Sequence, residues 1–341
     1  MVRLKYARLL YLSLVVAMSL VVKGQSDENS VMISDLAWSS TSKYLAIATT
    51  KGVLLYDTED NLLVRLQNCS SSNISNIAFT PDDSILAYSM SDTSSVFLFS
   101  LEKFQVTSEI QIASERISAL EFRDENFLGI GGFDYAPDRM TRGNSGLYFI
   151  RIDEGVSDVI TSREVFDIYD ISFYENYVFA SMMPSGLSRN FGDILIYDLE
   201  ADTLELGSYR RYVSIPPSLF GNLTIIPMVD EYYAGQLSLV NLSTGEQLLE
   251  DNFDTGFVTA IDLSPDRAFY ADNMGNIYIL DVSTGERNIL DQGNAGTVKL
   301  LEASDILLAV VRSTEMDDTL EIWDIEDNAR LVEVEISAVI E

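Results

Sequence analysis

The sequence predicts an all-β protein built from seven copies of one four-stranded antiparallel unit. The clearest copy runs from Val258 to Arg287, where short apolar runs alternate with the turns Ser264-Pro265-Asp266 and Asn273-Met274-Gly275. Four short strands in roughly 40 residues form one meander, and a meander of this size cannot bury both of its faces alone. Each unit must therefore pack against further copies of itself.

Two recurring signals locate the copies. The first strand shows two apolar residues three apart, a spacer and then an aromatic or apolar residue, as in Ile33, Leu36 and Trp38. The third strand ends in an apolar or aromatic residue followed by a polar one, and this ending occurs seven times: Tyr56-Asp57, Phe99-Ser100, Ile152-Asp153, Tyr197-Asp198, Val240-Asn241, Leu280-Asp281 and Trp323-Asp324. The units start near residues 33, 74, 117, 168, 213, 258 and 297. This spacing is typical of the four-stranded blades of a β-propeller, so we expect a seven-bladed β-propeller.

The fifth unit is the least regular. Pro216 and Pro217 fall where an inner strand should donate ladder hydrogen bonds, which proline cannot do. Its third strand and the turn Ser243-Thr244-Gly245-Glu246 nevertheless repeat the corresponding segments of unit six. We therefore expect a blade with a distorted first strand.

Residues 31 to 336 resemble the WD-repeat β-propeller family. The resemblance rests on Phe79-Thr80-Pro81-Asp82, on Leu263-Ser264-Pro265-Asp266 and on the single full Trp323-Asp324 pair. The chain has no histidine, whereas the family has a characteristic one before the first strand, so the family's hydrogen-bond network between strands must be missing or rebuilt from other groups. In that family the last blade commonly borrows a strand from the other terminus. Here blade seven has four strands of its own, so the ring closes either by side-chain packing or by ladder bonds from Val31 to Ile33 and Ser337 to Ile340.

The composition excludes several functions. The chain has 22 Lys and Arg against 53 Asp and Glu, a formal net charge of −31, which repels nucleic acids and anionic lipid surfaces. The absence of histidine eliminates His-based triads, bases and metal sites, and Cys69 is the only cysteine. No catalytic motif, cofactor site or metal site is recognisable, and the sequence predicts a protein that is not an enzyme.

The first 24 residues have the pattern of a secretory signal peptide. Arg3, Lys5 and Arg8 precede an apolar run from Leu9 to Val22, which is short for a membrane span. We therefore expect an extracytoplasmic protein, secreted or periplasmic, in which residues 25–341 form a single monomeric propeller without stable membrane insertion. An uncleaved N-terminal anchor is the competing interpretation.

Blades three to five carry the candidate binding residues. Blade three has an insertion from Gly131 to Gly146, blade four has one from Met182 to Asp193, and Tyr209-Arg210-Arg211-Tyr212 connects blade four to blade five. In propellers such connections emerge on one face. We give the name loop sector to seven arginine and aromatic residues of these three segments: Arg139, Arg142, Arg189, Arg210, Arg211, Tyr135 and Phe191. Arginine forms two-pronged hydrogen bonds with carboxylates, so the expected ligand is an acidic peptide or protein. The competing interpretation is that nearby carboxylates pair with these arginines and only hold the insertions down.

Two functions follow from this sequence. The first is an exported, non-catalytic scaffold that binds a protein or peptide through the loop sector. The alternative is an extracytoplasmic hydrolase or lyase whose carboxylates line the central channel. Carboxylates with raised pKa values at the channel mouth would favour the enzyme, whereas a bare channel and an exposed apolar rim with arginines would favour binding.

Overall fold

The computed structural model is a ring of seven four-stranded antiparallel sheets, and it confirms the predicted seven-bladed β-propeller. It describes residues 30–68, 73–112, 114–133, 145–152, 155–162, 166–184, 191–212, 215–229, 235–253, 257–293, 296–313 and 317–340. The leader, residues 1–24, lies outside these ranges, so its assignment stays a prediction. Within the described ranges, the helical structure includes no segment long and apolar enough to cross a membrane.

The first four blades contain sixteen strands in sequence order. They are β1 (Ile33–Trp38), β2 (Tyr44–Thr49), β3 (Gly52–Asp57), β4 (Leu62–Asn68), β5 (Ile74–Phe79), β6 (Ile85–Met90), β7 (Ser95–Ser100), β8 (Gln105–Gln111), β9 (Arg116–Asp124), β10 (Phe127–Phe133), β11 (Ser145–Arg151), β12 (Gly155–Ser162), β13 (Phe166–Tyr174), β14 (Tyr177–Pro184), β15 (Phe191–Asp198) and β16 (Thr203–Tyr212).

The last three blades contain twelve strands, and one short helix follows them. They are β17 (Ser218–Phe220), β18 (Leu223–Val229), β19 (Gly235–Asn241), β20 (Glu246–Phe253), β21 (Val258–Leu263), β22 (Arg267–Asp272), β23 (Ile277–Asp281), β24 (Arg287–Asp291), β25 (Thr297–Ala303), β26 (Leu307–Ser313), β27 (Asp318–Asp324), β28 (Ala329–Glu335) and α1 (Ser337–Ile340). In blade five the inner strand is only three residues long and begins directly after Pro216 and Pro217, as the missing proline N–H groups require.

The apolar face of each blade is buried against its neighbour. Ala78, Val96 and Leu98 of blade two pack with Ile117, Leu128 and other residues of blade three. Comparable clusters join blades one and two, three and four, five and six, and six and seven. The hydrophobic core is therefore a series of layers between sheets.

Glycines allow the closest approach between blades three and four. A Cβ atom on Gly131 would lie 2.7 Å from Cγ2 of Ile168, and one on Gly129 would lie 2.8 Å from the ring of Phe173. Both glycines lie in β10 and both contacts are with the inner strand β13. The Gly129 to Gly132 run thus has a packing role here.

Polar residues at the ends of third strands cap the turns that follow. The Oδ1 atom of Asp281 accepts hydrogen bonds from the backbone N–H of Ser283 and Thr284 at 2.9 and 2.7 Å. The same pair of bonds forms at Asp57, Asp198, Asn241 and Asp324. The repeated Asp is therefore a turn-forming residue, because its side chain substitutes for a backbone acceptor.

A buried ionic network joins blades six and seven. Arg312, 2% exposed, donates to Glu321 at 3.1 Å, to the carbonyl oxygen of Gly275 at 3.0 Å and to Asp291. Glu321 also accepts from the indole N–H of Trp323 at 3.0 Å. Blade seven thus contains a hydrogen-bond network, centred on arginine and glutamate, that includes the Trp of its Trp-Asp pair.

In the described part of the chain the ring closes through side chains, and no strand from one terminus joins the blade of the other. Blade seven contains all four of its own strands, and residues from Ser337 to Ile340 form α1 and add no ladder bonds. An apolar cluster joins the first and last blades: Val31, Ile33, Leu36, Leu45, Ile47, Leu54 and Tyr56 pack with Leu307, Ala309, Val311, Leu320, Ile322 and Ile336.

Asp318 supplies the polar part of this closure. Its Oδ2 atom accepts from the backbone N–H of Ile33 at 2.7 Å and from Nζ of Lys299 at 3.0 Å. The same Lys299 nitrogen donates to the carbonyl oxygen of Ile33 at 2.6 Å. Both backbone groups at the start of blade one are therefore bound by side chains of blade seven.

We predict that Asp318→Ala lowers the free energy of unfolding by about 2–3 kcal/mol, because it leaves the Ile33 N–H without its acceptor and the Lys299 ammonium without its carboxylate partner. Urea denaturation followed by circular dichroism measures this change. Asp327→Ala in the same blade is the matched control, since Asp327 is exposed. Equal stability of the two variants would contradict the closing role of Asp318.

Candidate functional site

The loop sector lies largely outside the described residues. Tyr135, Arg139 and Arg142 fall in 134–144, and Arg189 falls in 185–190. Phe191 begins β15, while Arg210 and Arg211 lie near the end of β16, and the ladder pairs Phe191 with Tyr212. The backbones of these three sector residues are thus neighbours at one end of blade four.

The strand ends that flank the two insertions lie on the same face of the ring. Residues 134–144 connect β10 to β11, and residues 185–190 connect β14 to β15, which is the second-to-third connection in each blade. Blades three and four are adjacent, since Leu147 and Phe149 pack with Ile168 and Ile171. The described strand ends that flank both insertions therefore lie on the same face of the ring as the end of β16.

The second candidate site is the central channel, a cavity of about 1020 Å³. Its walls are the seven inner strands and the turns that follow them, including Ser39, Pro81 and Pro265. Those turns lie on the face opposite the second-to-third connections. The cavity therefore reaches the face away from the loop sector.

Five carboxyl groups line this channel, each from a different inner strand. We call them the channel carboxyls: Asp35, Glu121, Asp170, Asp262 and Glu302. All five residues are half-buried, because the cavity lies on one side of them and the blades surround them elsewhere. Asp35 and Asp170 follow a β-bulge in their strands, which alters the direction of the side chains beyond it.

Three channel carboxyls connect neighbouring blades through backbone N–H groups. Asp35 accepts from Ile77 of blade two at 2.9 Å, Asp170 from Leu219 of blade five at 2.7 Å, and Asp262 from Ala303 of blade seven at 2.6 Å. Asp35 and Asp170 also accept from the N–H of the residue after them. These aspartates therefore satisfy buried backbone donors at the boundaries between blades.

The two glutamates differ from the aspartates. Among the described residues, no hydrogen-bond donor contacts the carboxyl group of Glu121 or Glu302, although the backbone carbonyl of Glu302 accepts from the indole N–H of Trp38 at 2.9 Å. Their carboxyl groups face the channel without a fixed partner, so they are the members of the set available to a ligand or a proton.

Burial and mutual repulsion raise the pKa values of the channel carboxyls. Burial raises the pKa of Glu121 to about 8, with a further contribution from the charge of Asp170. Burial also raises the pKa of Asp170 to about 8 and that of Asp35 to about 7, although their backbone hydrogen bonds act in the opposite direction. The pKa values of Asp262 and Glu302 are raised as well, chiefly by burial.

Among the described residues, Lys299 is the one cationic residue that lines the cavity. Its ammonium group is bound to Asp318 and to the Ile33 carbonyl oxygen, where blade seven meets blade one. No three acidic or cysteine side chains in the described ranges converge closely enough to hold a metal ion. The channel thus contains several acid groups with raised pKa values. Few cationic groups among the residues described lie near enough to balance the negative charge of these acids when they ionise.

The sequence analysis named the channel only as an alternative site and identified none of its residues. The signal was present in the first-strand motif, where Asp35, Asp170 and Asp262 interrupt apolar strands. An acidic residue inside a short apolar strand indicates a position outside the hydrophobic layers between blades, because burying an unpaired charge there would be costly. The channel is not bare: its walls carry carboxyl groups with raised pKa values, which is the feature that the sequence analysis gave as favouring the enzyme.

Comparison with known proteins shows the fold. No family model matches the chain, and no curated protein matches it by sequence. A chain in the crystal structure of a mitotic checkpoint complex superposes with a TM-score of 0.66 at 13% identity, covering 88% of this chain and 88% of that chain. The computationally designed Ika8 protein superposes with a TM-score of 0.60 at 16% identity, covering 92% of this chain and 88% of the designed one. At such identities the shared fold carries no information on shared activity, and WD-repeat membership stays a prediction.

We predict that Asp170→Ala is less stable than Asp170→Asn by about 1–2 kcal/mol. Asparagine retains an acceptor for the Leu219 or Ile171 N–H, whereas alanine leaves both donors unpaired. Neither variant titrates at this position, so urea denaturation at any one pH isolates the hydrogen bond. The same pair of substitutions at exposed Asp266 is the control and should show no such difference.

Proposed function

We propose that this chain is an exported, non-catalytic β-propeller that binds a protein or peptide through the loop sector. The observation that carries the proposal is topological: the two long insertions occupy equivalent connections of adjacent blades, and β15 and β16 bring Phe191 beside Tyr212. Loops on a rigid scaffold are the usual place for recognition, and arginine with aromatic residues is the composition of interaction hot spots.

The charge of the chain supports an acidic partner for this sector. The net charge is −31, so five arginines in neighbouring segments form an exceptional basic concentration. A partner bearing carboxylates would gain two-pronged hydrogen bonds there. The similar chain from the mitotic checkpoint complex belongs to a multi-component assembly by its description, and a binding role is compatible with that comparison.

We predict that the triple variant Arg139→Glu, Arg142→Glu and Arg189→Glu loses partner capture while its melting temperature stays unchanged. The experiment uses residues 25–341 as bait in the native extracellular or envelope fraction, followed by measurement of the affinity of each captured protein. Charge reversal would replace attraction of an acidic partner by repulsion.

The control is Lys103→Glu, a charge reversal at an exposed residue of blade two. The control should capture the same partner as the unmodified protein. Capture that persists in the triple variant would remove the loop sector from the proposal, and a lowered melting temperature would indicate that the arginines hold the insertions in place.

A second candidate function is carboxylate-dependent hydrolysis or elimination in the channel. The specific observation in its favour is the pair Glu121 and Glu302, whose carboxyl groups lack fixed partners in the described structure. Burial raises the pKa of Glu121 to about 8 and also raises the pKa of Glu302. A carboxylic acid with a raised pKa can act as a general acid.

This candidate predicts turnover of chromogenic glycosides or uronide polysaccharides that disappears in Glu121→Gln and in Glu302→Gln. Rates measured between pH 5 and 9 should fall as these acids ionise. Absence of turnover across the substrate panel, or equal turnover in the variants, would exclude the channel glutamates as general acids for these substrates.

A further inference from the structure

Three of the five channel carboxyls lie at boundaries between blades and bond across them, and the other two face the same cavity. Three of the seven blade boundaries, one to two, four to five and six to seven, have a carboxyl group of one inner strand bonded to a backbone N–H of the next blade. The acids therefore belong to the framework of the propeller. Any change in their charge acts directly on contacts between blades.

The remaining inner strands offer the acids little compensation. Asn76 of β5 and Ser218 of β17 are neutral, although the Ser218 hydroxyl lies 3.4 Å from Asp262 Oδ1. In β25, Lys299 is already bound to Asp318 and to the carbonyl oxygen of Ile33. Asp305, in the turn that follows β25, adds a further acid to the cavity wall. The phenols of Tyr169 and Tyr174 also border the cavity.

We propose that the channel carboxyls form a proton-dependent clamp, which holds the blades together most firmly when the set is protonated and weakens as the set ionises. In the acidic range each aspartate still offers a carbonyl oxygen to the N–H of the next blade, while the repulsion within the set is absent. As pH rises, negative charges accumulate on opposite walls of one cavity.

The direction of the effect follows from proton linkage. Each acid has a higher pKa in the folded protein than in the unfolded chain, for Glu121 about 8 against an ordinary value of 4.5. The folded state then binds more protons than the unfolded state, so stability is fully present below the unfolded pKa and is lost as pH rises towards the folded one. We expect the decline between about pH 4.5 and 8.

Proton release on unfolding tests the clamp directly. The protein, residues 25–341, is unfolded by urea at pH 6.5 in weak buffer with a pH indicator, and the protons released per molecule are counted. The unmodified protein should release at least two protons, and Glu121→Gln should reduce this release by about one, because glutamine carries no titrating group. Release indistinguishable from zero would overturn the proposal.

Thermal unfolding tests whether the clamp affects stability. The melting temperature of the unmodified protein should fall by several degrees between pH 5 and pH 8, and Glu121→Gln with Glu302→Gln should flatten this decline. At pH 8 the double variant should therefore melt at a higher temperature than the unmodified protein.

The matched control is Glu102→Gln, the same chemical change at an exposed residue of blade two. It removes one negative charge from the surface and should leave both the decline and the proton release unchanged. A control that flattens the decline as much as the channel variants would assign the effect to the overall negative charge and overturn the clamp. A decline that persists undiminished in the channel variants would overturn it equally.

Discussion

The packing of each sheet against the next is the constraint on which the structure depends. A four-stranded meander has two faces, and only the contact with both neighbours buries them. The clusters between blades follow directly, such as Ala46, Ala48 and Val53 of blade one with Ile74, Leu86 and Tyr88 of blade two. Glycines, turn caps and ion pairs adjust the fit between sheets. The ring itself results from burying apolar surface that no blade could bury alone.

This constraint also explains the unusual chemistry of the channel. The two faces of each sheet pack against the two neighbouring blades, and the inner strands also border the cavity along the axis, so the inner-strand positions at the cavity carry less packing demand. Here several of those positions hold carboxyl groups, and convergence of the seven strands brings like charges close together. Their raised pKa values are a consequence of geometry, namely burial of the carboxyl groups and the proximity of other acids. The same acids satisfy backbone donors between blades, which gives them a structural role as well.

The number of blades and their strand order could be predicted from the sequence, because the apolar period and the turn residues recur. The prolines before Ser218 predicted the distorted inner strand of blade five.

The way in which the ring closes could not be predicted from the sequence, since the bond from Ile33 to Asp318 spans nearly the whole chain and belongs to no local pattern. The channel carboxyls were missed for the same reason: each lies in its own repeat, and only the three-dimensional ring assembles them. The loop sector stays a prediction, for most of its side chains lie outside the described residues.

The closure between blades seven and one has a topological consequence. Because β1 and β28 each belong entirely to their own sheet, the junction between the last blade and the first resembles the other six, joined by apolar side chains and a few polar contacts. Each blade is thus formed from four consecutive strands, and the pairing of strands does not depend on which blade comes first in the chain. A circularly permuted chain, in which a linker joins residues 336 and 31 and new ends are opened between any other two blades, would retain every strand pairing of the original protein.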